Sequence, residues 1–87
     1  MYKLVYSREA VRSLRKIPSN TAKRICMKLE RLANDPYVKN NNVKSLKGSN
    51  ANYRLRIGDW RVLYILDDQE KRIIIVDINV RGEVYNP

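Results

Sequence analysis

The pattern of hydrophobic and polar positions divides the chain into a helical part and a strand-rich part. Before residue 36, apolar residues recur three and four positions apart, first from Ala10 to Ile17 and then from Ala22 to Leu32. This spacing places the apolar side chains on one face of a helix. Pro18 separates the two stretches. The sequence therefore predicts a helical hairpin with its break at that proline.

Residues suited to helix ends stand at the limits of these stretches. Ser7 predicts the N-cap of the first helix, and Ser19 or Asn20 can cap the second. Asn34-Asp35-Pro36 is expected to end the second helix. Ahead of Ser7, alternation from Tyr2 to Tyr6 predicts a short strand.

After residue 51 the apolar pattern takes a period of two, which is typical of strands. Strands are predicted over 53–57, 60–66 and 73–80, and a short one is possible over 43–46. Gly58-Asp59 suits a two-residue hairpin turn. The element order predicts an α+β fold: an N-terminal strand, a helical hairpin, and an antiparallel meander with the helices on one sheet face. The 87 residues are expected to form one domain, residues 1–87.

The charge of the chain indicates what it binds. There are 18 Lys and Arg against 9 Asp and Glu, a formal net charge of +9. A positive field of this size attracts polyanions. Nucleic acid is the first candidate partner, an anionic membrane the second and an acidic protein the third. A merely soluble basic surface is the alternative.

Composition also excludes several kinds of chemistry. The chain has no histidine, and Cys26 is its one cysteine, so neither an internal disulfide nor a Cys/His metal cluster is expected. Cys26 stands at an apolar helical position, where a buried thiol is expected. No segment approaches the length of a membrane span, and the N-terminus is too polar for a signal peptide. We therefore expect a cytoplasmic protein.

The predicted hairpin places three arginines on one face of the sheet. A two-residue turn at Gly58-Asp59 pairs Arg56 with Arg61, and alternation puts Arg54 on the same face. Like charges directly opposite each other destabilise a sheet, and such a conflict is expected where function requires it. Because guanidinium groups bind phosphate well, the arrangement indicates an anion site.

The last strand extends the same face. Strict alternation puts three polar residues on one side, namely Asp77, Asn79 and Arg81. It puts four apolar residues on the opposite side, namely Ile74, Val76, Ile78 and Val80. If the apolar set joins the core, Arg81 falls beside the other arginines. The alternative is that Asp59 or Asp77 neutralises the arginines in an ordinary surface ion pair.

Four segments together resemble the RelE/ParE toxin superfamily and, within it, the RelE-type mRNA interferases. They are Leu46-Lys47-Gly48, Tyr53-Arg54-Leu55-Arg56-Ile57, Asp59-Trp60-Arg61-Val62-Leu63-Tyr64 and Asn79-Val80-Arg81-Gly82-Glu83-Val84-Tyr85. The resemblance spans nearly the whole chain and includes the order of strand, two helices and strands. It depends on the set of motifs, because no single one is specific.

The resemblance implies a toxin of a type II toxin–antitoxin system that cleaves mRNA in the ribosomal A site. The ribose 2′-hydroxyl attacks the neighbouring phosphate and leaves a 2′,3′-cyclic phosphate and a 5′-hydroxyl. Neither a metal nor a small-molecule cofactor takes part. The implied partners are the ribosome with its rRNA, the mRNA, and a cognate antitoxin that masks the basic surface.

Site residues carry over from the resemblance by position. Arg61 resembles the arginine that stabilises the phosphate, Arg81 the residue that assists the leaving oxygen, and Tyr85 the tyrosine that orients or deprotonates the substrate hydroxyl. The expected substrate-binding residues are Arg54, Arg56, Lys47 and Lys44.

Two positions depart from the best-known RelE pattern. Arg54 and Arg56 replace lysines, and because arginine does not readily lose its proton, they would hold phosphate rather than act as bases. Tyr85 is then the best candidate base if the arginines lower its pKa, and Glu83 is the second. Alternatively, Tyr85 covers the sheet edge. Some relatives carry a helix after the matching tyrosine, so regulation that depends on such a helix is not carried over from the resemblance.

Two other functions stay open at this point. A ParE-type toxin uses the same fold to inhibit DNA gyrase and needs no arginine cluster. A basic RNA-binding module without catalysis would also account for the charge. Because the fold does not decide among them, the choice depends on the site.

Overall fold

The structure is a computed structural model that describes residues 1–48 and 51–80. Seven elements follow one another along the chain: β1 (Lys3–Tyr6), α1 (Arg8–Lys16), α2 (Ser19–Asn34), β2 (Val43–Ser45), β3 (Tyr53–Ile57), β4 (Trp60–Asp67) and β5 (Arg72–Val80). Two helices and five strands in this order confirm the predicted α+β fold. Within the described residues, no helix combines the length and apolar character needed to cross a membrane.

The strands form one mixed sheet in the order β1-β5-β4-β3-β2. From β2 to β5, neighbouring strands are antiparallel, as the predicted meander requires. β1 lies at the far edge and pairs in parallel with β5, with Leu4 opposite Ile73. The two helices therefore form the connection that carries the chain away from β1 and back to the sheet.

The core lies between the helices and one face of the sheet. α2 contributes the largest buried helical side chains, and the strands contribute a continuous apolar layer beneath them. The most deeply buried large side chains are Tyr64, Ile25, Leu29, Ile73, Ile75, Ile78 and Val62. Tyr53 stacks on Tyr64 with ring centroids 5.5 Å apart. Since one sheet face is covered in this way, the opposite face is free to carry polar residues.

Both helix starts follow from local chemistry, but only one as predicted. The Ser7 hydroxyl oxygen accepts a hydrogen bond from the Ala10 amide at 3.0 Å, which confirms Ser7 as the N-cap of α1. The predicted cap of α2 at Ser19 or Asn20 is wrong, because Pro18 occupies the cap position and no side chain caps the helix. The carbonyl of Pro18 already accepts from the Ala22 amide at 2.9 Å, so the helix begins directly after the proline.

A β-bulge in β5 changes which of its residues face the core. Leu63 is opposite Asp77 and Tyr64 is opposite Ile75, so Val76 is an extra residue between them. Ile75, just before the bulge, is fully buried, and the next buried residue after the bulge is Ile78. The expectation that Ile74, Val76, Ile78 and Val80 share one face is therefore wrong, because a bulge reverses the alternation. Beyond the bulge the alternation holds.

Ser7 also fastens α1 to this bulge. Its hydroxyl donates to the carbonyl oxygen of Val76 at 2.6 Å while accepting from the Ala10 amide. Ser7→Ala removes both hydrogen bonds and is expected to lower the free energy of unfolding by about 1–3 kcal/mol. The melting temperature of a domain of this size should fall by roughly 4 °C or more. Ser13→Ala, in the middle of α1, is the control and should change stability by less than about 0.5 kcal/mol. Equal melting temperatures for the two variants would contradict this role of Ser7.

The loop after α2 is fixed by a shared carboxylate. Asp68 accepts hydrogen bonds from the hydroxyls of Tyr2, at 2.6 Å, and Tyr37. The hydrogen bond from Tyr2, and then that from Tyr37, lowers the pKa of the Asp68 carboxyl. The hydrogen bond to Asp68 is also the main cause that raises the pKa of Tyr37 to about 12. These contacts hold the loop between α2 and β2 against the β4–β5 turn.

Candidate nucleic-acid interface

The face of the sheet that points away from the helices, here called the open face, carries the arginines predicted from the sequence. Arg56 lies directly opposite Arg61, as the hairpin turn predicted, and Arg54 lies opposite Leu63. Side chains directly opposite in an antiparallel pair have Cβ atoms about 4.5–5.5 Å apart. Arg54, Arg56 and Arg61, here called the arginine cluster, therefore share one patch.

Neighbouring strands add polar residues on both sides of the cluster. Lys44 of β2 lies opposite Arg54, and Asn79 of β5 lies opposite Arg61. Lys47 is exposed in the segment that follows β2. Asn79 was not among the predicted site residues. Its position opposite Arg61 follows from the register of β4 with β5, which the sequence did not specify.

Burial differs among these cations according to their position in the sheet. Arg61, on the central strand β4, is only 8% exposed. Arg54 is partly buried, and Arg56 and Lys44 are exposed. A guanidinium held by its neighbours loses little conformational freedom when it binds an anion. Arg61 is therefore the most fixed charge of the patch, and the more exposed cations lie beside it on β3 and β2.

Asp77, the acid that β5 places opposite Leu63 on the open face, forms hydrogen bonds within its own strand. One carboxylate oxygen of Asp77 accepts from the Ile78 amide at 2.9 Å, and the other accepts from the Asn79 side-chain amide at 3.3 Å. In the described part of the chain, Arg54 and Arg56 form no ion pair with an acid. The interpretation of these two arginines as members of an ordinary surface ion pair therefore finds no support there.

The predicted residues of the C-terminal motif, Arg81 and Tyr85, lie outside the described residues. Of the predicted site, the structure thus brings together Lys44, Arg54, Arg56 and Arg61.

Where the fold shifts a tyrosine pKa within the described residues, it raises it. Burial, for example, is the main cause that raises the pKa of Tyr64 to about 12 and that of Tyr6 to about 12. The described tyrosines with shifted pKa values are therefore poor bases.

The arrangement can bind a phosphodiester and stabilise negative charge that develops on it. Guanidinium groups form paired hydrogen bonds to phosphate oxygens, and a charge already in place need not reorganise during a reaction. Within residues 1–48 and 51–80, no group of three or more His, Cys, Asp or Glu side chains is arranged to hold a metal ion. The described groups thus supply positive charge and hydrogen-bond donors.

Comparison with protein families gives a match over most of the chain. Residues 4–85 match the family described as "ParE toxin of type II toxin-antitoxin system, parDE". A curated protein of Methanocaldococcus jannaschii, "Putative toxin RelE1", is 34% identical over 82 residues, which cover 92% of this chain and 91% of that protein.

Solved structures with a similar fold include RelE toxins crystallised with RelB. The archaeal RelE–RelB complex from Pyrococcus horikoshii OT3 matches with a TM-score of 0.79 and 27% identity, covering 94% of this chain and 97% of that chain. The intact RelBE toxin–antitoxin complex of Escherichia coli matches with a TM-score of 0.77 and 20% identity, over 95% and 99% of the two chains. At 20% identity, the likeness to the Escherichia coli protein concerns the fold alone.

Proposed function

This chain belongs to the ParE toxin family of type II toxin–antitoxin systems, within the RelE/ParE superfamily, and we propose that it is a ribosome-dependent endoribonuclease that inhibits translation in the cytoplasm. The observation that carries the proposal is the arginine cluster. Arg56 faces Arg61 on the open face, and Arg61, on the central strand β4, is only 8% exposed. Repulsion between facing arginines is unfavourable for stability, so an anionic substrate explains their arrangement.

In the proposed reaction, the ribose 2′-oxygen attacks the adjacent phosphorus atom. The bond from phosphorus to the 5′-oxygen of the next nucleotide breaks, which leaves a 2′,3′-cyclic phosphate and a 5′-hydroxyl. The 2′-hydroxyl gives its proton to a base, and the departing 5′-oxygen takes up a proton. Negative charge on the phosphate oxygens increases in the transition state, so nearby fixed cations stabilise that state more than the ground state.

We assign Arg61 to the phosphate in this transition state, because it is the most buried cation of the cluster. Arg54 and Arg56, with Lys44 and Lys47 farther out, hold the RNA backbone. Neither arginine is a base, since guanidinium keeps its proton at any physiological pH.

The proton transfers are assigned to the C-terminal motif. We propose Tyr85 as the group that orients or deprotonates the 2′-hydroxyl, and Arg81 as the group beside the leaving oxygen. Both residues stand at the motif positions that carry the resemblance to RelE-type toxins. The ribosome is expected to supply the positioning of the substrate, which contributes about 7–11 kcal/mol in well-oriented reactions.

The proposed protein partner is a cognate antitoxin. Two of the RelE structures that share the fold are complexes with RelB. A net charge of +9 favours association with an acidic partner, whose binding would also keep the toxin from nucleic acid.

Inhibition of DNA gyrase is the second candidate function, and the match to the family described as ParE toxin favours it. One experiment separates the two. Purified protein is added in parallel to a cell-free translation reaction and to a gyrase supercoiling assay. We expect translation to stop while supercoiling continues. Supercoiling inhibited without loss of translation would replace the nuclease with a gyrase inhibitor, and RNA binding with neither effect would indicate a non-catalytic RNA-binding module.

A further inference from the structure

Asn79 carries a buried amide oxygen beside the arginine cluster. It lies directly opposite Arg61 in the pairing of β4 with β5, so the two side chains share the open face. Within residues 1–48 and 51–80, this oxygen accepts no hydrogen bond. Buried polar atoms in folded proteins almost always have a partner, and an exception next to a functional site calls for an explanation.

Asp77 determines which way the amide of Asn79 points. One oxygen of the Asp77 carboxylate accepts from the Asn79 side-chain nitrogen at 3.3 Å, and the other accepts from the Ile78 amide at 2.9 Å. An ionised carboxylate has only acceptors, so the nitrogen of the amide and not its oxygen must face it. The amide oxygen of Asn79 is therefore turned away from Asp77.

The amide stands between an anion and a cation on the same sheet face. Asp77 precedes Asn79 by two positions in β5, and Arg61 lies across from Asn79 in β4. A side-chain amide is stabilised when the positive end of its dipole faces the anion and the negative end faces the cation. Cβ atoms of directly opposite residues are about 4.5–5.5 Å apart, a separation that asparagine and arginine side chains span easily. The oxygen is thus placed to receive an N–H of Arg61.

We propose that Asn79, oriented by Asp77, is a positioning residue for Arg61. When a phosphate occupies the arginine cluster, the amide oxygen accepts one N–H of the guanidinium and the other donors of Arg61 bind the phosphate. A guanidinium has five N–H donors, so both contacts form together, and such hydrogen bonds often tighten only in the substrate complex. The inference rests on the proposed function, in which Arg61 stabilises the transition state.

The first test is a double-mutant cycle on A-site cleavage under single-turnover conditions. Asn79→Leu removes the amide and keeps a side chain of similar size. We expect it to slow cleavage about tenfold, while the half-saturating concentration of toxin changes less than about twofold. Combined with Arg61→Ala, the same substitution should slow cleavage further by less than about twofold, because the residue through which Asn79 acts is absent.

The control is Asn20→Leu, the same substitution at an exposed position near the start of α2, which should cleave normally. Asn79→Ala, which removes the amide without adding a branched side chain, should repeat the pattern of Asn79→Leu and serves if the leucine variant does not fold. Equal losses in the presence and absence of Arg61 would overturn the proposal, since Asn79 would then act independently of it. Normal cleavage by a well-folded Asn79→Leu protein would overturn it as well.

The second test needs no cleavage and uses inorganic phosphate as the probe. NMR of the ¹⁵N-labelled chain follows the guanidinium N–H signals of Arg61, which Arg61→Ala identifies by their loss. We expect phosphate to slow the exchange of these hydrogens with water in the unaltered protein, and to do so less in Asn79→Leu. Equal protection in the two proteins, or none in the unaltered protein, would overturn the proposal. Intact mRNA together with the expected NMR result would reject the nuclease and leave the positioning of Arg61 by Asn79 standing.

Discussion

Replacing Arg61 with alanine is expected to reduce the rate of mRNA cleavage on the ribosome by about 100-fold to 1,000-fold. The side chain is the most buried cation of the arginine cluster and faces Arg56 across the β3–β4 hairpin. Removing one preorganised donor to a developing oxyanion costs about 3–4 kcal/mol of transition-state stabilisation. The rate of A-site cleavage under single-turnover conditions measures this loss directly, and growth inhibition in cells should disappear with it.

Two further variants separate a chemical role of Arg61 from a structural one. Arg61→Lys keeps the charge but loses the fork of donors, so we expect an intermediate rate. Arg72→Ala removes an arginine at the other end of β5, where a partly exposed ion pair with Asp67 at 3.0 Å contributes little to stability. Arg72→Ala should cleave normally. Antitoxin binding should survive in Arg61→Ala, and full cleavage by a well-folded Arg61→Ala protein would remove Arg61 from the site.

Replacing Tyr64 with alanine is expected to lower the free energy of unfolding by about 3–5 kcal/mol, as for other large buried aromatic side chains. Tyr64 is 1% exposed, stacks on Tyr53, and lies in the layer between α2 and the sheet. Because small domains have a total stability of only about 5–15 kcal/mol, this loss is a large fraction of the total and should lower the melting temperature strongly. Urea denaturation followed by circular dichroism gives the free energy.

Tyr64→Phe is the matched variant for this prediction. It keeps the ring and its packing and removes only the hydroxyl, so its destabilisation should be much smaller than that of Tyr64→Ala. Burial raises the pKa of Tyr64 to about 12, so the comparison at neutral pH is between an uncharged phenol and a phenyl ring. A loss of less than about 1 kcal/mol for Tyr64→Ala would mean that the core does not depend on this ring.

The arginine cluster could be predicted from the sequence because a local turn determines it. Gly58-Asp59 specifies the hairpin, Gly58 adopts a positive φ of 59°, and the pairing of Arg56 with Arg61 follows from the turn without any distant contact. The helices could be predicted from the sequence equally well, since the spacing of their apolar residues is a local pattern. Such features depend on residues that are close together in the sequence, so a local sequence pattern is enough to predict them.

Features that depend on distant partners could not be read in the same way. Nothing in Tyr2 to Tyr6 indicates that β1 pairs in parallel with β5, because that choice depends on residues almost 70 positions away. The bulge at Val76 is hidden because the residues from Ile73 to Val76 are all apolar, so alternation gives no signal where the register shifts. A basic groove between α2 and the end of β3 could not be predicted from the sequence either. Its cations come from separate elements, and only the fold brings Arg56 close to Arg24, Lys28 and Arg31.

The measurement that tests the central claim most directly is primer extension on a defined mRNA held in purified 70S ribosomes. The unaltered protein and a Tyr85→Phe variant are compared at equal concentration. We predict cuts confined to the A-site codon with the unaltered protein, and their loss or strong reduction with Tyr85→Phe, because phenylalanine can neither orient nor deprotonate the 2′-hydroxyl. Intact mRNA after incubation with well-folded, unaltered protein would contradict the nuclease account and move the function to gyrase inhibition.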